Sequence, residues 1–182
     1  MFFGRNKPTP NRIDGIPVPG YPGMLGLVAC PGVRVGSTAA PNKRQIQGDL
    51  EAIIDWGTNG FVTLFEAHEF KVNRVEDLHP RLNEVGIWTM HLPIIDMHIP
   101  DQAFEDEWAV QGERIRHSLR IGERVVLHCF AGLGRTGMIA ARLLVEMGME
   151  PDHAVLAVRK NNKRRIQTQD QLDFVYTCYP LD

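Results

Sequence analysis

The chain has 182 residues, of which 43% are hydrophobic and 23% are charged, and this balance is typical of one compact globular domain. Its formal net charge of -2 gives no general case for binding nucleic acid or a membrane, so we expect neither kind of partner. The 3 cysteines, Cys30, Cys129 and Cys178, leave an odd thiol and lie far apart, which argues against a disulfide scaffold. We therefore expect a protein of the reducing cytoplasm.

The first 24 residues are rich in proline and glycine. Prolines at positions 8, 10, 17, 19 and 22 interrupt every apolar run, so the segment resembles neither a signal peptide nor a membrane span. We interpret residues 1–24 as an extended arm without a catalytic role, and residues 25–182 as the folded domain.

From residue 25 onward, short apolar runs alternate with amphipathic segments. The apolar runs predict strands near residues 25–30, 61–65, 87–91 and 124–128. The amphipathic segments predict helices near residues 41–56, 75–85, 102–120, 136–147, 152–160 and 169–179. This order implies right-handed crossovers and an α/β fold: a single domain with a central, mostly parallel β-sheet flanked by helices. Ligands of such sheets bind beyond the carboxyl ends of the strands.

The most informative stretch covers residues 125–137, where an apolar strand leads into a glycine-rich loop and the loop leads into an apolar helix. Because glycine readily adopts positive φ, successive backbone N–H groups of this loop can converge on one oxyanion that also faces the helix N-terminus. The residues expected to bind phosphate are Phe130, Ala131, Gly132, Leu133, Gly134 and Arg135.

Two side chains of this loop indicate that it can carry out chemistry on a bound phosphate group. Cys129 stands at the mouth of the loop, where converging N–H dipoles and a nearby guanidinium favour the thiolate and make it a nucleophile. Arg135 closes the loop, and its planar guanidinium can hold two phosphoryl oxygens at once.

This stretch resembles the signature of the cysteine-dependent protein tyrosine and dual-specificity phosphatases. In it, His128-Cys129 is followed by five residues and then by Arg135-Thr136-Gly137. Further motifs lie on both sides of this loop, in the same order as in the cyclin-dependent-kinase-associated phosphatase branch of that superfamily, which the chain therefore resembles. They are Pro93-Ile94-Ile95-Asp96, Pro100-Asp101 and Ile166-Gln167-Thr168. The resemblance implies a protein tyrosine phosphatase-like fold and phosphate ester hydrolysis through a cysteinyl-phosphate intermediate.

Hydrolysis of a phosphate ester also needs an acid that protonates the leaving oxygen. Asp96 lies in a proline-bounded loop, upstream of Cys129 by about the interval at which the family places its acid, and we predict that it is the donor. Asp101 is the alternative acid, although it immediately precedes a long predicted helix and can equally cap its N-terminus.

Three further residues are expected to support the reaction or the loop. Gln167 would position the water that hydrolyses the intermediate. The hydroxyl of Thr136 would donate a hydrogen bond to the sulfur of Cys129, and His128 would orient the loop through a hydrogen bond. Gln171 can instead serve the last predicted helix as part of a capping pair with Thr168.

A basic run precedes this glutamine: Arg159, Lys160, Lys163, Arg164 and Arg165. The run is either a solvated helix end or a positively charged border of the pocket that attracts acidic phosphosubstrates. The sequence leaves both interpretations open.

These patterns predict a protein phosphatase that hydrolyses phosphotyrosine, with phosphoserine and phosphothreonine left open, and that needs no cofactor and no metal. Its partner would be a phosphorylated protein or peptide, and its oligomeric state is not predicted. Three alternatives remain: a phosphoinositide phosphatase, an RNA 5'-phosphatase, and a pseudoenzyme that only binds phosphoproteins. A phosphoinositide phosphatase would be expected to have lysines inside the loop, and an RNA 5'-phosphatase would be expected to have a broad basic cleft. A pseudoenzyme would usually lack the nucleophile or the acid.

Overall fold

The computed structural model describes residues 9–181 of the chain. Its five strands are β1 (Asp14–Pro17), β2 (Met24–Ala29), β3 (Gly60–Thr63), β4 (Trp88–His91) and β5 (Arg124–Cys129). The helices within this range are α1 (Lys43–Asp55), α2 (Ala67–Val72), α3 (Leu78–Glu84), α4 (Gln102–Arg120), α5 (Gly134–Glu146), α6 (Pro151–Arg159) and α7 (Gln169–Thr177). No helix of this part of the chain is both long and apolar enough to cross a bilayer.

The strands form one sheet in the order β1-β2-β5-β3-β4. The pairs β2–β5, β5–β3 and β3–β4 are parallel, and β1 alone pairs antiparallel with β2. The expected α/β fold with a mostly parallel sheet is therefore confirmed. β5 lies at the centre of the sheet, and its carboxyl end delivers Cys129 to the edge where α/β proteins bind ligands.

Helices cover both faces of the sheet. Side chains alternate along β5, so that Leu127 and Cys129 join one buried core while Val126 joins a second core on the opposite face. The first core is closed by α4, α5, α6 and α7, and the second by α1 and α3. Every residue of α5 is buried, which fixes the helix that follows the cysteine loop firmly against the sheet.

The structure differs from the sequence-based expectation at two short elements. Within the segment expected to be an arm, Asp14–Pro17 forms the edge strand β1, and Ile16 in this strand and Val18 just after it are buried in the first core. Pro17 is compatible with this strand because proline is tolerated at a sheet edge. The second unexpected element is α2, a helix of 6 residues that follows β3. The boundary between arm and domain after residue 24 stays a prediction.

Candidate active site

The loop between β5 and α5 is held by hydrogen bonds to its backbone carbonyls. Nδ1 of His128 donates to the carbonyl of Cys129 at 3.2 Å, and the backbone N–H of Cys30 donates to the carbonyl of Phe130 at 3.0 Å. In a trans peptide the C=O and the following N–H point in opposite directions. The N–H groups of Phe130 and Ala131 therefore point to the other side of the loop, away from these donors.

The second half of the loop follows the same pattern. The carbonyl of Gly132 accepts from Nε of Arg165 at 3.4 Å, and that of Leu133 accepts from the N–H of Gly137 at 2.9 Å. The N–H groups of Leu133 and Gly134 are thereby turned the opposite way. Gly132 has a φ of +69°, and a Cβ there would lie 2.6 Å from the backbone of Val28, so only glycine allows this close approach.

His128 belongs to a buried hydrogen-bonded chain behind the loop. The hydroxyl of Thr63 lies 2.7 Å from Nε2 of His128 and 2.7 Å from Nε2 of His79. Because Nδ1 of His128 donates to the Cys129 carbonyl, its Nε2 accepts from Thr63, and His79 in turn donates to Thr63. Burial lowers the pKa of His128 to about 3, so the ring is neutral near pH 7 and its tautomer is set by this chain.

Arg135 lies in the first turn of α5 with an exposed fraction of only 1%. Its Nη1 and Nη2 contact the two carboxylate oxygens of Glu69 at 2.6 and 3.2 Å, and Nη1 also donates to the carbonyl of Ile94 at 3.2 Å. Burial alone would lower the pKa of Arg135, but hydrogen bonds to Glu69 and the charges of Cys129, Glu69 and Asp96 raise it overall. The guanidinium therefore stays charged and is held in one orientation.

Glu69 was not recognised from the sequence as a site residue. It lies on α2, and its carboxylate also accepts from the N–H of Glu66 at 2.7 Å, which caps this short helix. A signal was available, because α2 follows the carboxyl end of β3, at the same edge of the sheet as Cys129. The segment is too short and too polar to stand out as a helix.

The loop that carries Asp96 lies over this guanidinium. Oδ1 of Asp96 is 3.1 Å from Nη2 of Arg135, and the Asp96 side chain is 65% exposed, so one face of the carboxyl remains in solvent. Met97 adopts a φ of +63° at the turn, and the carbonyl of His98 accepts from Nε2 of Gln171 at 3.3 Å. By contrast, Oδ1 of Asp101 accepts from the N–H of Phe104 at 2.9 Å and caps α4.

Gln167 and Gln171 lie beside the start of α5. The side-chain oxygen of Gln167 is 2.7 Å from the point where a Cβ on Gly134 would stand, so this side chain touches the loop. The N–H of Gln171 donates to the hydroxyl of Thr168 at 3.1 Å, which is the expected cap of α7. The amide side chain of Gln171 is not used in that cap. Its oxygen accepts from the N–H of Gln167 at 2.9 Å, and its nitrogen donates to the His98 carbonyl, so Gln171 connects Gln167 with the Asp96 loop.

The basic run does not act as one unit. Arg165 is buried, with an exposed fraction of 4%, and Arg159 donates to the carbonyls of Arg165 and Ile166 at 2.9 and 3.0 Å. The buried Arg165 is therefore neither a solvated helix end nor a charge at the pocket border, and the partly buried Arg159 binds the backbone next to it. Lys163 and Arg164 are exposed.

Two buried polar atoms at this site have no hydrogen-bond partner within residues 9–181: Nε of Arg135 and Oγ1 of Thr136. The expected hydrogen bond from Thr136 to the sulfur of Cys129 is thus not formed in this structure. Cys129 itself is 3% exposed. The site therefore combines a buried thiol, a charged guanidinium and spare hydrogen-bonding capacity at the N-terminus of a helix.

Solved structures of known proteins share this fold. The match to a kinase-associated phosphatase with serine in place of its catalytic cysteine has a TM-score of 0.79 and 27% identity, and covers 92% of this chain and 93% of that one. The match to Tk-PTP in its active form has a TM-score of 0.63 and 20% identity, covering 90% and 94% of the two chains. The fold and the cysteine loop thus define a member of the protein tyrosine and dual-specificity phosphatase superfamily, as the motifs indicated.

The particular family follows from sequence comparison. The family model described as cyclin-dependent kinase inhibitor 3 (CDKN3) matches residues 8–155, and the chain belongs to this family. Cyclin-dependent kinase inhibitor 3 of Sus scrofa is 29% identical over 176 residues, which cover 94% of this chain and 80% of that protein. PRL-1 phosphatase of Drosophila melanogaster is 31% identical over 99 residues, which cover 54% of this chain and 55% of that protein.

Proposed function

We propose that this chain is a protein phosphatase that hydrolyses phosphotyrosine through a cysteinyl-phosphate intermediate. The observation that best supports this proposal is that Nε of Arg135 and Oγ1 of Thr136, both buried beside the Cys129 loop, have no hydrogen-bond partner among residues 9–181. Buried polar atoms are normally hydrogen-bonded, so these two have capacity for a phosphoryl oxygen and for the sulfur. Membership of a phosphatase superfamily supports the same conclusion.

In the first step, the thiolate of Cys129 attacks phosphorus and the bond from phosphorus to the tyrosine oxygen breaks. Asp96 gives its proton to that leaving oxygen. The phosphoryl oxygens are held by Arg135 and by the loop N–H groups of Phe130, Ala131, Gly132, Leu133 and Gly134. The N–H groups of Phe130, Ala131, Leu133 and Gly134 are fixed before substrate arrives, because the carbonyl that precedes each of them is already bonded on the other side of the loop.

In the second step, water attacks phosphorus and the bond from phosphorus to sulfur breaks. Gln167, which touches the loop at Gly134, orients this water, and the Asp96 carboxylate takes its proton. The hydroxyl of Thr136 donates to the departing sulfur. His128 holds the Cys129 carbonyl outward and does not exchange a proton. No metal or cofactor enters either step.

The ion pair between Asp96 and Arg135 must break before Asp96 can act on the leaving oxygen. Oδ1 of Asp96 forms an ion pair with Nη2 at 3.1 Å, while the Glu69 carboxylate binds both Nη1 and Nη2. A phosphoryl dianion carries more charge than one carboxylate and replaces Asp96 at Nη2. Asp96, which is exposed to solvent, is then free to take up a proton from water and to present it to the leaving oxygen, whereas Glu69 keeps the guanidinium in place.

Exposed apolar side chains around the site favour an aromatic substrate. Phe130 on the cysteine loop is 45% exposed, and Ile95 and Met97 on the Asp96 loop are 50% and 47% exposed. Such side chains pack well against the ring of phosphotyrosine and gain little from the short side chains of phosphoserine or phosphothreonine. A phosphorylated protein is therefore the proposed partner, and the three free cysteines support a reducing cytoplasmic location.

The alternatives receive less support. The loop from Phe130 to Gly134 holds no lysine for additional inositide phosphates, and the buried Arg165 adds nothing to a basic cleft for RNA. A binding-only protein is disfavoured because Cys129 and Asp96 both lie at the site.

The two aspartates provide a test that also reports on substrate. We expect Asp96→Asn to slow hydrolysis of a phosphotyrosine peptide by about 10²- to 10⁴-fold, because the leaving oxygen then departs without a proton. Hydrolysis of p-nitrophenyl phosphate should slow much less, since its phenolate is a good leaving group. Steady-state kinetics on both substrates, with a matched phosphothreonine peptide, measure this difference.

Asp101→Asn is the matched control, because asparagine caps a helix nearly as well as aspartate and α4 should keep its stability. Its kinetics should equal those of the unmodified chain. The reverse pattern would assign the acid to Asp101, and equally small effects from both variants would show that neither aspartate protonates the leaving oxygen.

A further inference from the structure

A buried ion pair joins the N-terminal strand to the back of the cysteine loop. Oδ2 of Asp14, on β1, lies 2.7 Å from Nη2 of Arg165, and the two residues are 151 positions apart in sequence. Asp14 is 8% exposed and Arg165 is 4% exposed. The mechanism proposed above uses neither residue.

The remaining nitrogens of Arg165 bind two backbone carbonyls. Nη1 donates to the carbonyl of Val158 on α6 at 3.1 Å, and Nε donates to that of Gly132 in the cysteine loop at 3.4 Å. The contact with Asp14 is the shortest of the three and the only one to a charged group, so it sets the position of the guanidinium. Arg165 thus bridges three separate parts of the chain.

The backbone next to Arg165 is also locked onto the loop. Ile166 has a φ of +59°, an unfavourable conformation for a β-branched residue that persists only where surrounding contacts impose it. Its N–H donates to the carbonyl of Leu133 at 3.3 Å. A Cβ on Gly137 would lie 2.9 Å from Cβ of Arg165, so the first turn of α5 packs directly against this segment. Gln167 follows immediately in sequence.

We propose that Asp14 is a positioning residue for phosphate binding and that it acts through Arg165. By fixing the guanidinium, Asp14 keeps the Gly132 carbonyl turned outward and therefore keeps the Leu133 N–H turned toward the bound oxyanion. This inference rests on the proposed function, because it assigns that N–H to the phosphoryl group. Without Asp14, Arg165 is a buried cation with no partner carboxylate; it moves toward solvent and releases the Gly132 peptide.

The test uses the full chain with Asp14→Ala and Asp14→Asn, and tungstate as the probe. Calorimetry should show that Asp14→Ala weakens tungstate binding about tenfold, with a comparable fall in kcat for p-nitrophenyl phosphate, because one oxyanion donor is misoriented. Asp14→Asn should have a smaller effect, since its amide oxygen can still accept from Arg165. The amide resonance of Leu133 in NMR spectra should shift in both variants.

Glu146→Gln is the matched control for lost stability. Glu146 is a buried carboxylate at the far end of α5, 2.5 Å from Nη1 of Arg116 and 2.9 Å from Nε1 of Trp108. This variant should lower the melting temperature but keep tungstate affinity and kcat within about twofold of the unmodified chain.

The inference is overturned if Asp14→Ala binds tungstate and turns over as the unmodified chain does, or if Glu146→Gln weakens tungstate as much as Asp14→Ala. Failure of the unmodified chain to bind tungstate would count against the proposed function instead. In that event the Leu133 resonance still decides the inference, because an unshifted signal in Asp14→Ala would show that the Gly132 peptide does not depend on Asp14.

Discussion

Cys129→Ser is expected to abolish turnover while leaving oxyanion binding within a few-fold of the unmodified chain. The serine hydroxyl is far less acidic than a thiol, so it stays undissociated at neutral pH and is a poor nucleophile at phosphorus. In the proposed mechanism the donors to the phosphoryl group are backbone N–H groups and Arg135, and none of them depends on sulfur. Kinetics with p-nitrophenyl phosphate and calorimetry with tungstate measure the two properties separately.

Cys178→Ser is the matched control for this substitution. Cys178 follows the last helix, and its Sγ contacts the carbonyl of Phe174 at 3.5 Å, a bond that a serine hydroxyl can also make. Its kcat and KM should equal those of the unmodified chain. Full activity of Cys129→Ser would exclude covalent catalysis at Cys129.

Arg135→Lys is expected to lower kcat/KM for a phosphotyrosine peptide by about 10³-fold, although the positive charge is kept. The guanidinium binds Glu69 through two nitrogens, and its Nε, which has no partner within the described residues, is available to a phosphoryl oxygen. An ammonium is a single point donor and cannot hold Glu69 and two phosphoryl oxygens at the same time. Both kcat and the affinity for tungstate should fall.

Arg142→Lys provides a closely matched comparison on the same helix. Arg142 is also buried and holds Glu105 through two nitrogens, at 2.7 and 2.8 Å, but it lies away from the cysteine loop. Its replacement should reduce thermal stability without changing kcat/KM. If both variants kept near-normal kcat/KM, the role assigned to Arg135 would be wrong.

Long periodic elements were predictable from the sequence because their patterns repeat over several turns. The helix predicted over residues 102–120 is observed with the same bounds, and its capping residue, Asp101, was recognised as a candidate cap. The strand β1 was missed because prolines dominate its segment and a sheet edge tolerates them. The helix α2 was missed because 6 residues give too little periodicity to recognise.

The site was predictable where one continuous stretch carries it. Cys129, Arg135 and the intervening glycines lie within a single strand, loop and helix, so their spacing alone places them together. Glu69 and Asp14 come from other parts of the chain, and their contacts with arginines depend on tertiary packing. Arg165 was grouped with its basic sequence neighbours, whereas its burial follows from a carboxylate 151 positions away.

In the proposed mechanism the phosphoryl group passes through Cys129. The most direct test of this step is to mix the chain with p-nitrophenyl phosphate, quench in acid within the first turnover, digest, and locate any phosphorylated peptide by mass spectrometry. We expect one phosphoryl group on Cys129, with more of it trapped in Gln167→Ala, because hydrolysis of the intermediate slows when the water is poorly oriented. Rapid turnover with no phosphoryl group on Cys129, in either form of the chain, would contradict the mechanism.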